Sequence, residues 1–169
     1  MNKRSAQQVI EQEKRLKTGK LDLSYCNLVQ LPETVFDLIG IKILSVRSNP
    51  MNVIDCSCFT QLVRLDLFRT SIADLSSLSD LENLEELDIR SSNVTDLHPL
   101  IGLPNLKRFY LDGNDNQNID CLTRENFPVL KSLIILYDDY YPMVEKDKKI
   151  IEKLEVEFPN CRIGRTGLY

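Results

Sequence analysis

Apolar side chains recur along this chain at an interval too long for any one helix or strand. With Leu84 as slot 1, slots 1, 4, 6, 11, 14, 17 and 20 hold Leu84, Leu87, Ile89, Val94, Leu97, Leu100 and Leu103. The preceding 22 residues fill the same slots with Leu62, Leu65, Leu67, Ile72, Leu75, Leu78 and Leu81. At 43% apolar composition, such agreement does not arise by chance. A unit this short cannot bury its own leucines, so the repeat predicts a solenoid in which stacked units share one apolar column. Fully burying each Leu or Ile there contributes roughly 1.5–3 kcal/mol. Slots 3 to 7 alternate, which predicts a strand in each unit, with successive strands parallel and turns returning on the other face.

The pattern extends in both directions. Leu21, Leu23, Leu28 and Leu31 occupy slots 4, 6, 11 and 14 of a first unit, and Leu44, Val46, Met51 and Ile54 those of a second that begins at Ile41. After the two matched units, Phe109, Leu111, Ile119 and Leu122 continue it from Leu106. Here Asn116 stands in slot 11, and the next unit starts at Leu130, 24 residues on rather than 22. The DGNDNQN stretch is therefore expected to form an irregular outer turn. Slot 9 reads Cys26, Asn49, Thr70, Ser92, Asn114 and Asp138, small groups suited to hydrogen-bond the backbone of a tight turn after each strand.

Both ends of the column need covering. Ser5 and Gln8 have the spacing of a capping box, and Ala6, Val9, Ile10 and Leu16 lie near one helical face. Residues 5 to 18 are predicted as a helical lid with Gln7, Glu11, Glu13, Lys14 and Arg15 toward water. At the other end a charged helix is predicted near Met143 to Glu157, with Ile150, Ile151, Leu154 and Phe158 as its apolar side. Pro159 ends it, and Cys161 to Ile163 supply a short closing strand. The expected organisation is one domain, with the first lid over 1–18, about six repeats over 19–137 and the second lid over 138–169.

The segments LVRLDLFRTSIADLSSL and LEELDIRSSNVTDLHPL resemble leucine-rich repeats of the 22-residue type found in internalins and in the leucine-rich regulator of protein phosphatase 1. Within the second, DLHPL at Asp96 to Leu100 resembles the D-I-x-P-L turn of those repeats. The opening IEQEKRLKTGKLDLSYCNLVQLPETVFDL is similar to the start of bacterial leucine-rich domains, including those that precede Roc GTPase domains. The resemblance implies an α/β leucine-rich repeat solenoid with a parallel sheet on its concave face. It is nearly silent on the ligand, because such architectures serve unrelated roles.

Composition narrows the setting. The chain has 169 residues, 27% of them charged, with no apolar run long enough to span a membrane and no signal-peptide core at its start. A net charge of −4 argues against a nucleic-acid partner. Five scattered cysteines, Cys26, Cys56, Cys58, Cys121 and Cys161, suit a reducing cytoplasm better than a disulfide framework, although export as an effector by a dedicated machine leaves no ordinary signal.

If the strands are placed correctly, slots 3, 5, 7 and 8 display their side chains on the concave sheet. Candidate protein-binding residues are then Arg47, Arg64, Phe68, Arg69, Asp88, Arg90, Arg108, Tyr110, Asp112, Ile134, Leu136 and Tyr137. Large apolar groups on an open sheet invite contact, and Tyr, Arg and other aromatics carry much of the energy at interfaces. The competing expectation is that Asp and Arg on neighbouring strands pair across the ladder and keep the sheet soluble, with Arg64, Arg90 and Arg108 neutralising Asp66 and Asp88.

Other chemistry finds little footing. His98, the only histidine, falls in a convex turn and reads as a surface residue, not as a base in a triad. Cys56 and Cys58 form a lone CxC without the further ligands a zinc site uses. Asp112, Asp115 and Asp120 lack the spacing and closing Glu of a calcium loop, and no glycine-rich phosphate loop occurs. The expectation is a non-enzymatic, cofactor-free module, monomeric when free, that binds another protein as adaptor, inhibitor or regulatory subunit. Alternatives are an immunity protein or translocated effector that binds an enzyme, and the detached sensor of a Roco-type GTPase.

Overall fold

The computed structural model describes residues 5–112, 119–136 and 145–166. Helix α1 (Ala6–Leu16) precedes six strands, β1 (Lys20–Asp22), β2 (Ile43–Ser45), β3 (Arg64–Asp66), β4 (Glu86–Asp88), β5 (Arg108–Asp112) and β6 (Ser132–Leu136). Helix α2 (Glu145–Glu157) and strand β7 (Arg162–Thr166) follow. The seven strands form one parallel sheet in chain order, a coil advancing one strand per unit.

Register follows the slots. Leu21, Leu44, Leu65, Leu87, Phe109, Leu133 and Ile163 are successive partners across the sheet, all slot 4 or its equivalent. The first six are at most 1% exposed. Slot 6 is buried beside them as Leu23, Val46, Leu67, Ile89, Leu111 and Ile135. On the return side, short 3-10 turns such as Ser76–Leu78 and His98–Leu100 drive Leu78 and Leu100 into the same core. Phe59 stacks on Phe36 and Phe127 on Phe109, with ring centroids 6.1 and 6.4 Å apart.

The first four strands are three residues long, shorter than the slots 3 to 7 expected. Backbone bonding nonetheless runs on: Leu23 N–H donates to Ser45, Val46 to Asp66 and Leu67 to Asp88. The chain then turns because slot 8 is left-handed, with φ of 58° at Tyr25 and 53° at Ser48, Arg69 and Ser91. Slot 9 ties down that turn. Asn49 is 2% exposed, donates to the carbonyls of Leu23 (2.9 Å) and Val46 (2.7 Å), and accepts from Leu28 N–H (3.0 Å). Thr70 and Ser92 donate to Leu67 and Ile89 at 2.8 and 2.6 Å. Asn114 and Asp138 lie outside the described residues.

Helix α1 begins with the expected reciprocal cap, Gln8 N–H to the Ser5 hydroxyl and Ser5 N–H to Gln8 Oε1. It ends at Leu16, before left-handed Lys17, and its facing differs from expectation. Leu16 is 52% exposed, whereas Glu13, expected in water, is 6% exposed. The reason is the turn into β1: Glu13 folds under it and accepts from Gly19 N–H at 2.7 Å and the Thr18 hydroxyl at 2.5 Å. Ile10 enters the core, with Ala6 and Val9 packed against it. At the other end, Ile151 and Leu154 of α2 and Phe158 just after it are buried, and β7 extends beyond the expected Cys161 to Ile163 to pair with all of β6.

Candidate functional site

The outward sheet face is built in two layers. Alternation sends slots 3, 5 and 7 away from the core, but Asp66 (9% exposed), Glu86 (9%) and Asp112 (5%) are buried there. Asp112 and these neighbours are therefore not display residues. Short carboxylates sit at the sheet surface while longer arginines and aromatics cover them.

These carboxylates have structural work, which exposed Asp22 and half-buried Asp88 share. In slot 5, Asp22, Asp66 and Asp88 accept from the N–H two residues on, at Ser24 (3.0 Å), Phe68 (3.0 Å) and Arg90 (3.1 Å). They steer the backbone out of the strand toward the left-handed slot 8. Asp66 also accepts from the Ser45 hydroxyl at 3.1 Å. Asp112 accepts Ser91 N–H at 2.6 Å, a donor that in earlier units goes to a slot-7 carbonyl. Burial pushes the carboxyls of both Asp66 and Asp112 above the ordinary aspartate range, against the opposing pull of those N–H groups. Asp88 lies near enough to both to add to the rise.

The arginines do not pair as expected. Arg64 and Arg108, from the strands on either side, both clamp Glu86, at 3.2 and 2.8 Å. Only Arg90 holds Asp88, through Nε at 2.9 Å and a second nitrogen at 2.5 Å. Asp66 and Asp88 are register partners, yet Asp66 draws its partners from Phe68 N–H and Ser45.

Above this layer, Phe68 gathers three guanidinium groups. Arg47, Arg69 and Arg90 lie 4.8, 5.1 and 5.3 Å from its ring centroid, and Arg90 is also 5.0 Å from the ring of Tyr110. Each such contact is worth about 0.5–1 kcal/mol when exposed and about 2 when desolvated. The stacking joins β2, β3, β4 and β5 into one Arg–Phe–Arg–Tyr row. Of the remaining candidates, half-buried Ile134 follows Tyr110 in register on β6. Leu136 ends that strand opposite Asp112, and Tyr137 lies outside the described residues.

Elsewhere, His98 stands exposed in its 3-10 turn with Nδ1 2.6 Å from Asp96. Its N–H also donates to Asp96, and that bond chiefly holds the Asp96 carboxyl below its usual range. Burial pushes the thiols of Cys56 and Cys58 up, away from the thiolate. Among the described residues no cluster of three or more His, Cys, Asp or Glu side chains is placed to hold a metal. Asp120 pairs with Lys153 at 2.8 Å, while residues 113–118 lie outside the described residues.

No family model matches the chain, and no curated protein matches it. Solved structures do. An internalin (inlF) from Listeria monocytogenes superposes over 89% of this chain with a TM-score of 0.56 at 18% identity. Internalin C2 from the same species does so over 86%, with a TM-score of 0.60 at 22% identity. The fold is a leucine-rich repeat solenoid. The chain spans 43% of the first protein's length and 66% of the second's, and at these identities the likeness concerns the fold alone.

Two features of this leucine-rich face were missed in the sequence. The slot-5 aspartates recur at one slot in three units, which is itself the signal that they serve the architecture. Among the described residues, the buried polar atoms Arg47 Nε and Ser48 Oγ find no hydrogen-bond partner, and no pattern of residue types announces that.

Proposed function

We propose that this chain is a non-enzymatic leucine-rich repeat module that docks another protein on its concave sheet, as adaptor, inhibitor or regulatory subunit. The observation that carries the reading is the row of Arg47, Phe68, Arg90 and Tyr110 standing on an outward sheet face, with Arg69 beside it. A sheet kept merely soluble has no use for stacked aromatics there, whereas guanidinium and aromatic groups held in place lose little entropy on binding. Helices α1 and α2 act as the two lids of a single domain. No helix among the described residues is long and apolar enough to cross a membrane, and five free thiols favour a cytoplasmic setting.

Affinity capture from native lysate tests the reading, comparing wild type with a Phe68→Ala/Tyr110→Ala double variant. A specific protein retained by the first and lost by the second is expected, with thermal unfolding nearly unchanged. Equal capture by both moves the site to the convex turns. A toxin gene beside this one would favour an immunity protein within the same class.

A further inference from the structure

The charges on the outward face are unevenly satisfied. Arg64, Arg90 and Arg108 each hold a carboxylate. Arg47 and Arg69 do not: among the described residues no carboxylate lies within ion-pair distance of either, and both rest on the ring of Phe68. Arg47 Nε is a buried donor without an acceptor, and Ser48 Oγ beside it is likewise unmatched. Next to them Tyr25 stands 50% exposed, its N–H bonded to the Arg47 carbonyl.

The layering sets the sign of the surface. Asp66, Glu86 and Asp112 are buried and Asp88 is bound by Arg90, so guanidinium groups lie outermost around Phe68, with Asp22 of β1 an exposed carboxylate at the margin, on a chain whose net charge is −4. Three of them converge on one ring, a focus rather than a stripe. A nucleic acid presents charge continuously along its length, about one per 1.7 Å of duplex, and would leave this focus at once for an acidic surround. A carboxylate on a polypeptide matches the planar guanidinium fork, and the side chains flanking it match Phe68 and Tyr110.

We infer that the surface around Phe68 receives an acidic polypeptide segment, whose carboxylates bind Arg47 and Arg69 while a neighbouring apolar side chain lies against Phe68 and Tyr110. This deepens the proposed function and rests on it.

The test follows the arginine Nε–H and backbone N–H signals of the ¹⁵N-labelled full chain by NMR, during titration with a synthetic peptide of alternating Glu and Leu. The same peptide with Gln for Glu, and inorganic phosphate, are the other arms. Expected are saturable shifts at Arg47, Arg69 and Phe68 with the Glu peptide, at least about tenfold weaker binding of the Gln peptide, and loss of affinity as salt is raised. An Arg69→Ala variant should reduce Glu-peptide affinity about tenfold while its remaining spectrum is preserved. Equal binding of the Gln peptide overturns the inference, as do shifts confined to other residues or the same saturation by phosphate alone. The two readings fail separately. A captured partner lost on Phe68→Ala/Tyr110→Ala but kept by Arg47→Ala/Arg69→Ala overturns the acidic segment and leaves the docking face; a partner kept by both variants overturns both.

Discussion

The two sides of each strand obey different rules. Inward, slot 4 reads Leu21, Leu44, Leu65, Leu87, Phe109, Leu133 and Ile163; outward, its neighbour in slot 3 reads Lys20, Ile43, Arg64, Glu86, Arg108, Ser132 and Arg162. The inward residue is packed between its own counterparts in the units before and after, so one volume suits every unit. The outward residue answers to solvent or to a ligand and is free to differ. Repetition therefore marks architecture on either side, and the slot-5 aspartates, outward yet repeated, belong with the leucines. What does not repeat, the row from Arg47 through Phe68 and Arg90 to Tyr110, is the part available for recognition.

Substitutions on the two sides should separate accordingly. The largest loss is expected inward: Leu87→Ala, at a fully buried position, should cost about 2–5 kcal/mol in urea unfolding. A smaller loss would mean that units slide to close the cavity. Asn49→Ala comes next, at roughly 2–3 kcal/mol, since Leu28 N–H and the carbonyls of Leu23 and Val46 lose their partner together. Glu86→Ala should cost only about 1 kcal/mol, because Arg64 and Arg108 are about half exposed and turn to water.

Asp66 sharpens the comparison through pH. Its carboxyl is raised above the unfolded value, so the folded state holds the proton longer than the unfolded chain. Its contribution is fully present below the unfolded pKa of 3.8 and is lost as pH rises through the raised value. Asp66→Asn can still accept from Phe68 N–H and has no charge to desolvate. Relative to wild type, it should gain stability from pH 4 to pH 7 in parallel thermal melts. A relative loss over that range would mean that the Arg47 charge beside Asp66 outweighs burial.

These differences also explain what could be seen in advance. The column, the parallel register and the slot-9 bonds follow from spacing alone, because a coil stacked in register converts sequence interval directly into spatial contact. Spacing also assigns Arg64, Phe68, Arg90 and Tyr110 to one face, since alternation decides direction. Depth is not encoded there: direction alone does not say that a short aspartate lies beneath a long arginine, or that Glu86 instead of Asp88 takes Arg64 and Arg108. Helix α1 misleads for a related reason, as its period gives a face that includes Leu16 but not the turn donors at Thr18 and Gly19 that draw in Glu13. Charge reversal at Arg90 is likewise not confined to the surface, because a glutamate there would face Asp88 directly.

The central claim is that the outward row can be altered without touching the column beneath it. It is tested most directly by measuring, for Phe68→Ala, both partner affinity and the urea midpoint on the same preparation. Affinity lower by about tenfold or more, with a stability loss of no more than about 1–2 kcal/mol from the guanidinium contacts at Phe68, is the predicted result. Unchanged affinity with a clear loss of stability would show that Phe68 and its arginines serve the fold, and would contradict the account.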